Sequence, residues 1–203
     1  FMTIYLVRHG QAAAGSEDLD PGLAEIGHHQ ARVTAEALRD RRVSRLVVSP
    51  LRRTRETAEP IASALGLSAE VREEVAEVFA PEMPADQRVA MIGPFMAGRW
   101  SEQPEALRQW RQRVVDTLIE AGLDAAARDG DLIVVSHYIA IGVAIGEALG
   151  DDRVVPAPMA NCAITTMEAG HGGLTLGEAC SVAHLTAELI TGAGEARLRE
   201  RGG

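Results

Sequence analysis

Three short segments of the sequence combine residue types that handle phosphate, and each directly follows an apolar run. They are Arg8-His9-Gly10, Ser49-Pro50-Leu51-Arg52-Arg53 and Ser136-His137. Arginine presents a planar fork of N–H donors that can bond two phosphate oxygens at once. A neutral imidazole is a nucleophile that can accept a phosphoryl group. The three segments therefore predict an anion site with a nucleophile, provided that the fold brings them together.

The apolar runs before these segments have the composition of buried strands. Residues 3–7, 45–48 and 131–135 are nearly continuous in apolar character and rich in branched side chains, which is typical of strands covered on both faces. Shorter strands are predicted at 69–71, 162–167 and 174–178. Helices are predicted at 24–41, 49–65, 103–128 and 137–149.

The alternation of strands and helices predicts an α/β fold: a three-layer α/β/α sandwich with a mostly parallel mixed sheet, in a single domain over 1–203. In such sheets, ligands bind at the carboxyl ends of the strands. Ser49 and Ser136 are predicted as helix N-caps, with Pro50 as a first helical residue. Two helix N-termini would then add their free N–H groups to the anion site.

Composition and charge limit the classes of partner. The chain has 203 residues and a net charge of -9, which argues against general binding to nucleic acid or to a membrane surface, because both are polyanionic. Cys162 and Cys180 lack metal-type spacing. No run approaches the roughly 18 apolar residues of a membrane span, and the start of the chain lacks the pattern of a signal peptide. We therefore expect a cytoplasmic protein.

Several of the polar residues also have simpler interpretations. Arg52 and Arg55 fit a solvated helix face, and His137 could be a hydrogen-bonded core histidine. The pair His28-His29 has no further ligand at useful spacing, so a surface helix explains it better than a metal site. The phosphate interpretation rests on the three segments together.

Motifs spread over residues 3 to 185 resemble those of the histidine phosphatase superfamily, the phosphoglycerate mutase-like proteins. The resemblance is carried by Leu6-Val7-Arg8-His9-Gly10-Gln11, by Ser49-Pro50-Leu51-Arg52-Arg53-Thr54-Arg55-Glu56-Thr57-Ala58 and by Val134-Val135-Ser136-His137. It extends to residues 23–31, to Asn161-Cys162-Ala163-Ile164 and to Ala183-His184-Leu185.

The resemblance implies a role for each residue of the predicted site. His9 would be the nucleophile and become phosphohistidine, whereas Arg8, Arg53 and His137 would bind the phosphoryl oxygens. It implies no metal and no cofactor, because the arginines neutralise the phosphoryl charge. His9 must be neutral to attack and His137 could act as a cation, so we expect their pKa values to be pushed apart.

The resemblance also implies a glutamate as general acid, which we assign to Glu77. Its pKa would have to be raised by burial for it to hold a proton near neutral pH. Glu73, Glu74 and Glu82 are nearby alternatives. The Gly-x-Trp-Glu-Gly run that often follows this glutamate in the family is absent, and residues 80–84 stand in its place.

The loop after His9 favours hydrolysis over mutase action. Residues 12–14 are all alanine, followed by Gly15, where the family often has Ser or Thr and then Asn. We therefore expect a phosphatase that acts on a small phosphorylated metabolite or on a phosphorylated protein side chain. The alternatives are a mutase-type phosphotransferase and a catalytically weak phosphate-binding protein. The sequence leaves the oligomeric state open.

Residues 79–104 are expected to form a lid over the site, because they hold four prolines and two glycines around one short helix. Phe79, Phe95 and Trp100 lie in this segment. They could line the leaving-group pocket, although packing of the lid onto the core is the simpler explanation.

Overall fold

Six strands and five helices form the part of the chain that the computed structural model describes, which is residues 2–14, 18–79 and 83–193. In chain order the elements are β1 (Ile4–Arg8), α1 (Glu25–Leu38), β2 (Val43–Val48), α2 (Arg52–Leu65), β3 (Ala69–Val71), α3 (Ala85–Met96), α4 (Glu105–Ala127), β4 (Asp131–Ser136), α5 (Tyr138–Leu149), β5 (Ile164–Gly170) and β6 (Gly173–Leu176). Short 3-10 turns occur at Glu73–Val75, Trp100–Glu102 and Ala187–Leu189.

The strands form one mixed sheet in the order β3-β2-β4-β1-β5-β6. The first four strands in that order are parallel to one another. Strand β5 is antiparallel to β1, and β6 is antiparallel to β5. The α/β fold with a mostly parallel mixed sheet is therefore confirmed. The central strands β4 and β1 are buried on both faces, which explains their nearly continuous apolar sequences.

Helices cover both faces of the sheet because alternate side chains of each strand point to opposite sides. Tyr5 and Val7 of β1 belong to a core with α1 and α2, whose members include Ala35, Leu38 and Ile61. The neighbouring strand residues 4 and 6 belong to the other core, with α4 and α5. The two cores make the three layers that the sequence predicts.

The prediction that Ser49 and Ser136 cap helices is wrong. Helix α2 begins at Arg52 after Leu51, and α5 begins after His137. Ser136 is the last residue of β4, and its hydroxyl donates to the Val75 carbonyl. The Ser49 hydroxyl accepts from the Leu51 backbone N–H and contacts the imidazole of the residue that precedes α5. Both hydroxyls therefore bind groups from other parts of the chain instead of capping a helix.

Other boundaries differ by a few residues. Strand β5 begins at Ile164, because Cys162 lies in the left-handed backbone region with a φ of 57°, and a strand cannot run through that conformation. Helices α1 and α4 are each shorter than predicted by one to three residues at their ends.

The segment after Glu77 contains α3 and the 3-10 turn at Trp100–Glu102, as expected for a loop-rich stretch around one helix. Trp100 is buried, and its ring stacks on Trp110 of α4 with centroids 6.0 Å apart. The function of this segment as a lid stays a prediction. Within the described ranges, no helix combines the length and the apolar character that crossing a membrane requires.

Candidate active site

The three segments singled out in the sequence meet at the carboxyl ends of β1, β2 and β4. Arg8 pairs in register with Ser136, and the His9 backbone N–H donates to the Ser136 carbonyl at 3.1 Å. On the other side of β4, the Ser49 backbone N–H donates to the Val135 carbonyl at 3.2 Å. The parallel register of three neighbouring strands therefore brings the predicted residues into one cluster.

The hydrogen bonds of His9 fix the tautomer of its imidazole. Nδ1 lies 2.7 Å from the Gly10 carbonyl oxygen, which can only accept, so Nδ1 carries the hydrogen. Nε2 receives the Nε–H of Arg53 at 3.3 Å and therefore presents its lone pair. The His9 ring is held with an unprotonated Nε2, whose lone pair accepts from the Arg53 guanidinium.

His9 is also neutral. Burial and the positive charges of Arg8 and Arg53 together lower its pKa to about 3, against the opposing effect of the bond to the Gly10 carbonyl. The imidazolium form would have to be desolvated beside two cations, which is costly. A neutral His9 is the form that a nucleophile requires.

His137 is fully buried and has the opposite arrangement of ring nitrogens. Its Nδ1 accepts from the Arg53 guanidinium at 3.3 Å, so Nε2 carries the hydrogen and donates to the Ser49 hydroxyl at 2.8 Å. Burial holds its pKa well below the ordinary value, and His9, Arg53 and Arg8 act in the same direction.

The sequence predicts that the pKa values of the two histidines are pushed apart, whereas in the structure both are shifted in the same direction. Both pKa values are lowered, because both rings are buried and face the same two guanidinium groups. A phosphate dianion placed among these groups would oppose that effect and favour a proton on His137.

Arg8 is anchored rather than free. One terminal nitrogen donates to the carbonyls of Met159 at 2.6 Å and Gly192 at 2.8 Å, and the guanidinium lies 4.9 Å from the ring centroid of Tyr138. Its Nε–H is buried and has no hydrogen-bond partner among the residues that the structure describes. A buried cation with an unused donor has a fixed position from which it can bind an oxyanion.

Among the predicted glutamates, Glu77 lies at the site. Its two carboxylate oxygens accept from the backbone N–H groups of Val78 at 3.1 Å and Ile139 at 3.3 Å, the latter in the first turn of α5. Burial raises its pKa, although the two backbone bonds and the charges of Arg53 and Arg8 oppose the rise. The net direction is the one that a proton donor near neutral pH needs.

The alternative glutamates are less suited to that function. Glu73 is exposed, and the pKa of Glu74 is lowered by a hydrogen bond to its own backbone and by Arg72 at 3.2 Å. Glu82 lies outside the described residues, as does Gly15 of the loop after His9.

Sequence reasoning missed a group of buried polar residues that hold the His9 loop. Thr57 accepts from the Gly10 N–H at 2.9 Å, and Gln30 accepts from the Gln11 N–H at 2.9 Å. Asn161 donates to the His9 carbonyl at 3.2 Å. The Gln30 amide also donates to Thr191 at 2.8 Å. A signal was present, since a glutamine on the apolar face of α1 beside two alanines requires buried partners.

Close packing of α1 against the same loop requires glycine at two positions. A Cβ on Gly27 would overlap the Gln11 carbonyl oxygen, and a Cβ on Gly10 would lie 2.7 Å from the Gly27 carbonyl oxygen. The backbone on both sides is fixed by hydrogen bonds, so neither clash could be relieved cheaply.

The other basic residues singled out in the sequence, two arginines and two histidines, are exposed or half-buried. Arg52 and Arg55 are exposed on α2, as a solvated helix face would have them. His28 is half-buried, with Nε2 4.0 Å from Glu56, and His29 is exposed. Over residues 2–14, 18–79 and 83–193, no group of three or more His, Cys, Asp or Glu side chains is placed to hold a metal ion.

A cavity of about 310 Å3 adjoins the cluster on the side of Arg8 and Glu77. Phe79 and Phe95 line it, with their ring centroids 5.3 Å apart. Trp100 does not line it and packs behind Phe95, at 5.5 Å between centroids. Phe79 and Phe95 therefore line the cavity, as one of the two explanations predicts, whereas Trp100 packs the segment onto the core, as the other predicts.

Comparison with known proteins agrees with this geometry. A model of the histidine phosphatase superfamily (branch 1) matches residues 4–180. A probable phosphoglycerate mutase, GpmB, from Erwinia tasmaniensis is 30% identical over 165 residues, which cover 73% of this chain and 75% of that protein.

Solved structures share the fold. Phosphoserine phosphatase from Entamoeba histolytica in complex with 3-phosphoglyceric acid has a TM-score of 0.71 at 20% identity, over 92% of this chain and 100% of that one. Phosphoglycerate mutase from Bacillus anthracis str. Sterne has a TM-score of 0.67 at 17% identity, over 90% of this chain and 94% of that one.

The fold and the site define a phosphoglycerate mutase-like α/β protein with two arginines and two histidines clustered at the carboxyl ends of its parallel strands. The chain belongs to the histidine phosphatase superfamily, branch 1. Phosphatases and mutases both occur among the proteins that it resembles.

Proposed function

We propose that the protein is a phosphatase that hydrolyses small phosphate monoesters through a phosphohistidine on His9, without a metal ion. The observation that carries this proposal is the state of His9. Its ring is neutral, its Nδ1 hydrogen is held by the Gly10 carbonyl, and its Nε2 lone pair lies beside the Arg53 guanidinium.

In the first step, Nε2 of His9 attacks phosphorus and the bond from phosphorus to the ester oxygen breaks. Arg8, Arg53 and His137 bind the non-bridging oxygens and stabilise their charge in the transition state. Glu77 donates its proton to the departing alcohol oxygen, so the alcohol leaves neutral and Glu77 becomes a carboxylate.

In the second step, water attacks phosphorus and the bond to Nε2 of His9 breaks. The Glu77 carboxylate takes a proton from this water, which restores the acid for the next cycle. Inorganic phosphate then leaves, and His9 is again a neutral imidazole. The same carboxyl group serves as acid and then as base, which requires a pKa raised toward neutrality.

Two features favour hydrolysis over phosphoglycerate mutase action. The cavity beside Glu77 has Arg8 as the one cation among its described lining residues, whereas a bisphosphorylated intermediate needs further cations for its second phosphate. The described part of the loop after His9 ends in Ala12, Ala13 and Ala14, whose side chains offer no hydrogen bond. A binding protein without catalysis is disfavoured by the position and the raised pKa of Glu77.

The test is phosphate release from p-nitrophenyl phosphate and from a panel of phosphometabolites, with and without a chelator. We expect release that resists the chelator and is lost in His9→Ala. Transfer of the phosphoryl group between phosphoglycerates, in place of release to water, would support the mutase alternative. Full activity of His9→Ala would refute the mechanism.

A further inference from the structure

The cavity beside Arg8 and Glu77 is walled mainly by apolar side chains. They come from the segment after Glu77, from α3 and from the start of α5: Val78, Phe79, Ile92, Phe95, Met96 and Ile139. Phe95 and Ile139 are buried, and the other four side chains are half-buried. An apolar, concave wall of this size is typical of a small-molecule site.

The cavity is placed where the leaving group of the ester must lie. A proton donor has to reach the departing oxygen, so the alcohol is bound next to Glu77. Glu77 lines the cavity together with Arg8, which is a ligand for the phosphoryl group in the proposed function. The alcohol would therefore extend from the phosphate site into this apolar space.

Most polar groups of the described lining are already engaged, and the unpaired Nε–H of Arg8 is assigned to the phosphoryl group in the proposed function. A terminal nitrogen of Arg8 donates to Met159 and Gly192, and the Tyr138 hydroxyl is hydrogen-bonded to the Met159 backbone. The carboxylate of Glu77 accepts two backbone N–H bonds. A leaving group with several hydroxyls or a charge would lose its water here without gaining matching partners, which is unfavourable.

A second cation on the same helix lies outside the cavity. Arg88 precedes Ile92 by one turn of α3 and does not line the cavity. Burial lowers the pKa of Arg53, and the charge of Arg88 acts in the same direction. Arg88 therefore adds positive potential on the phosphoryl side and leaves the alcohol side apolar.

We infer that the preferred substrates are phosphate monoesters of apolar alcohols small enough to fit a cavity of about 310 Å3. This inference rests on the proposed phosphatase function and adds the class of leaving group. Binding of the alcohol occurs by transfer of its methylene groups from water to the apolar wall.

The test is kcat/KM for straight-chain alkyl phosphates from ethyl to dodecyl, compared with glycerol 3-phosphate, phosphoserine and 3-phosphoglycerate. We expect kcat/KM to rise by about fourfold for each added methylene until the cavity is filled, and then to level off. We expect the three polar esters to be poorer substrates than hexyl phosphate.

A pair of variants on α3 links the effect to the cavity. Ile92→Asn places an amide in the wall, and we expect it to flatten the dependence on chain length. Met91→Asn is the matched control, because Met91 is exposed on the same helix and does not line the cavity; it should keep the wild-type slope. Ile92→Ala, which is milder, serves if the asparagine variant fails to fold.

Rates that do not depend on chain length, or a preference for 3-phosphoglycerate or phosphoserine over hexyl phosphate, would overturn the inference while leaving a phosphatase. If the wild type prefers 3-phosphoglycerate or phosphoserine and Arg88→Gln loses that preference, the anionic leaving group binds at Arg88 and not in the apolar cavity. Failure of the proposed function itself gives a different result, since no ester in the whole series would then release phosphate in a manner that depends on His9.

Discussion

We expect Arg53→Lys to lower kcat/KM for any phosphate monoester by about 10³-fold or more. Arg53 is the one side chain in the described site that contacts both imidazoles, through Nε to His9 and through a terminal nitrogen to His137. A lysine has a single ammonium group and cannot hold both rings or bond two phosphoryl oxygens in a fixed plane. The variant would keep the positive charge at position 53 but lose the planar arrangement of the guanidinium donors.

The matched control is Arg55→Lys on the same helix. Arg55 is exposed, so its replacement should leave kcat/KM within about twofold of wild type, as is usual for a surface substitution. Steady-state kinetics and a thermal unfolding curve for both variants are sufficient. A fully active Arg53→Lys variant would show that bidentate arginine binding is not required and would remove the main source of transition-state stabilisation from the mechanism.

We expect the loss of activity in Glu77→Gln to depend strongly on the leaving group. With an alkyl phosphate, whose alkoxide is a poor leaving group, the rate of phosphoryl transfer should fall by about 10²- to 10⁴-fold, which is the usual contribution of a general acid. With p-nitrophenyl phosphate the fall should be much smaller, because p-nitrophenolate departs without a proton. Glu73→Gln is the control, since Glu73 is exposed nearby.

The pH profile gives a second readout for Glu77. Burial raises its pKa, so the protonated acid persists to higher pH than for a free glutamate. For alkyl phosphates the rate of phosphoryl transfer should fall as the pH rises through that pKa, and this fall should be absent in Glu77→Gln. An equal loss of activity for both leaving groups, with an unchanged pH profile, would assign Glu77 a structural function only.

Much of the fold was predictable because its signals are local. Runs such as 131–135 are typical of buried strands, and the long amphipathic pattern of α4 indicates a helix. The sequence does not predict the order of the strands, because β4 lies between β2 and β1 through pairing of segments that are far apart in the chain. Arg8, Arg53 and His137 meet because each lies at or after the end of a neighbouring strand.

The errors occur where a tertiary contact overrides a local preference. Ser49 has the sequence context of an N-cap, but its hydroxyl instead contacts His137 across the sheet edge. The lowered pKa of His137 could not be read from the sequence either, because it depends on complete burial beside Arg53 and Arg8. The function of Gln30 depends on partners about 160 positions away in the chain, at Leu189 and Thr191.

The most direct test of the account is to identify the residue that carries the phosphoryl group during turnover. Wild-type enzyme is mixed with saturating p-nitrophenyl phosphate, quenched within milliseconds under alkaline conditions and analysed by peptide mass spectrometry. A phosphohistidine mechanism predicts a phosphoryl group on His9, at no more than one per chain, and none in His9→Ala. A phosphoryl group on another residue, or phosphate release at the wild-type rate by His9→Ala, would contradict it.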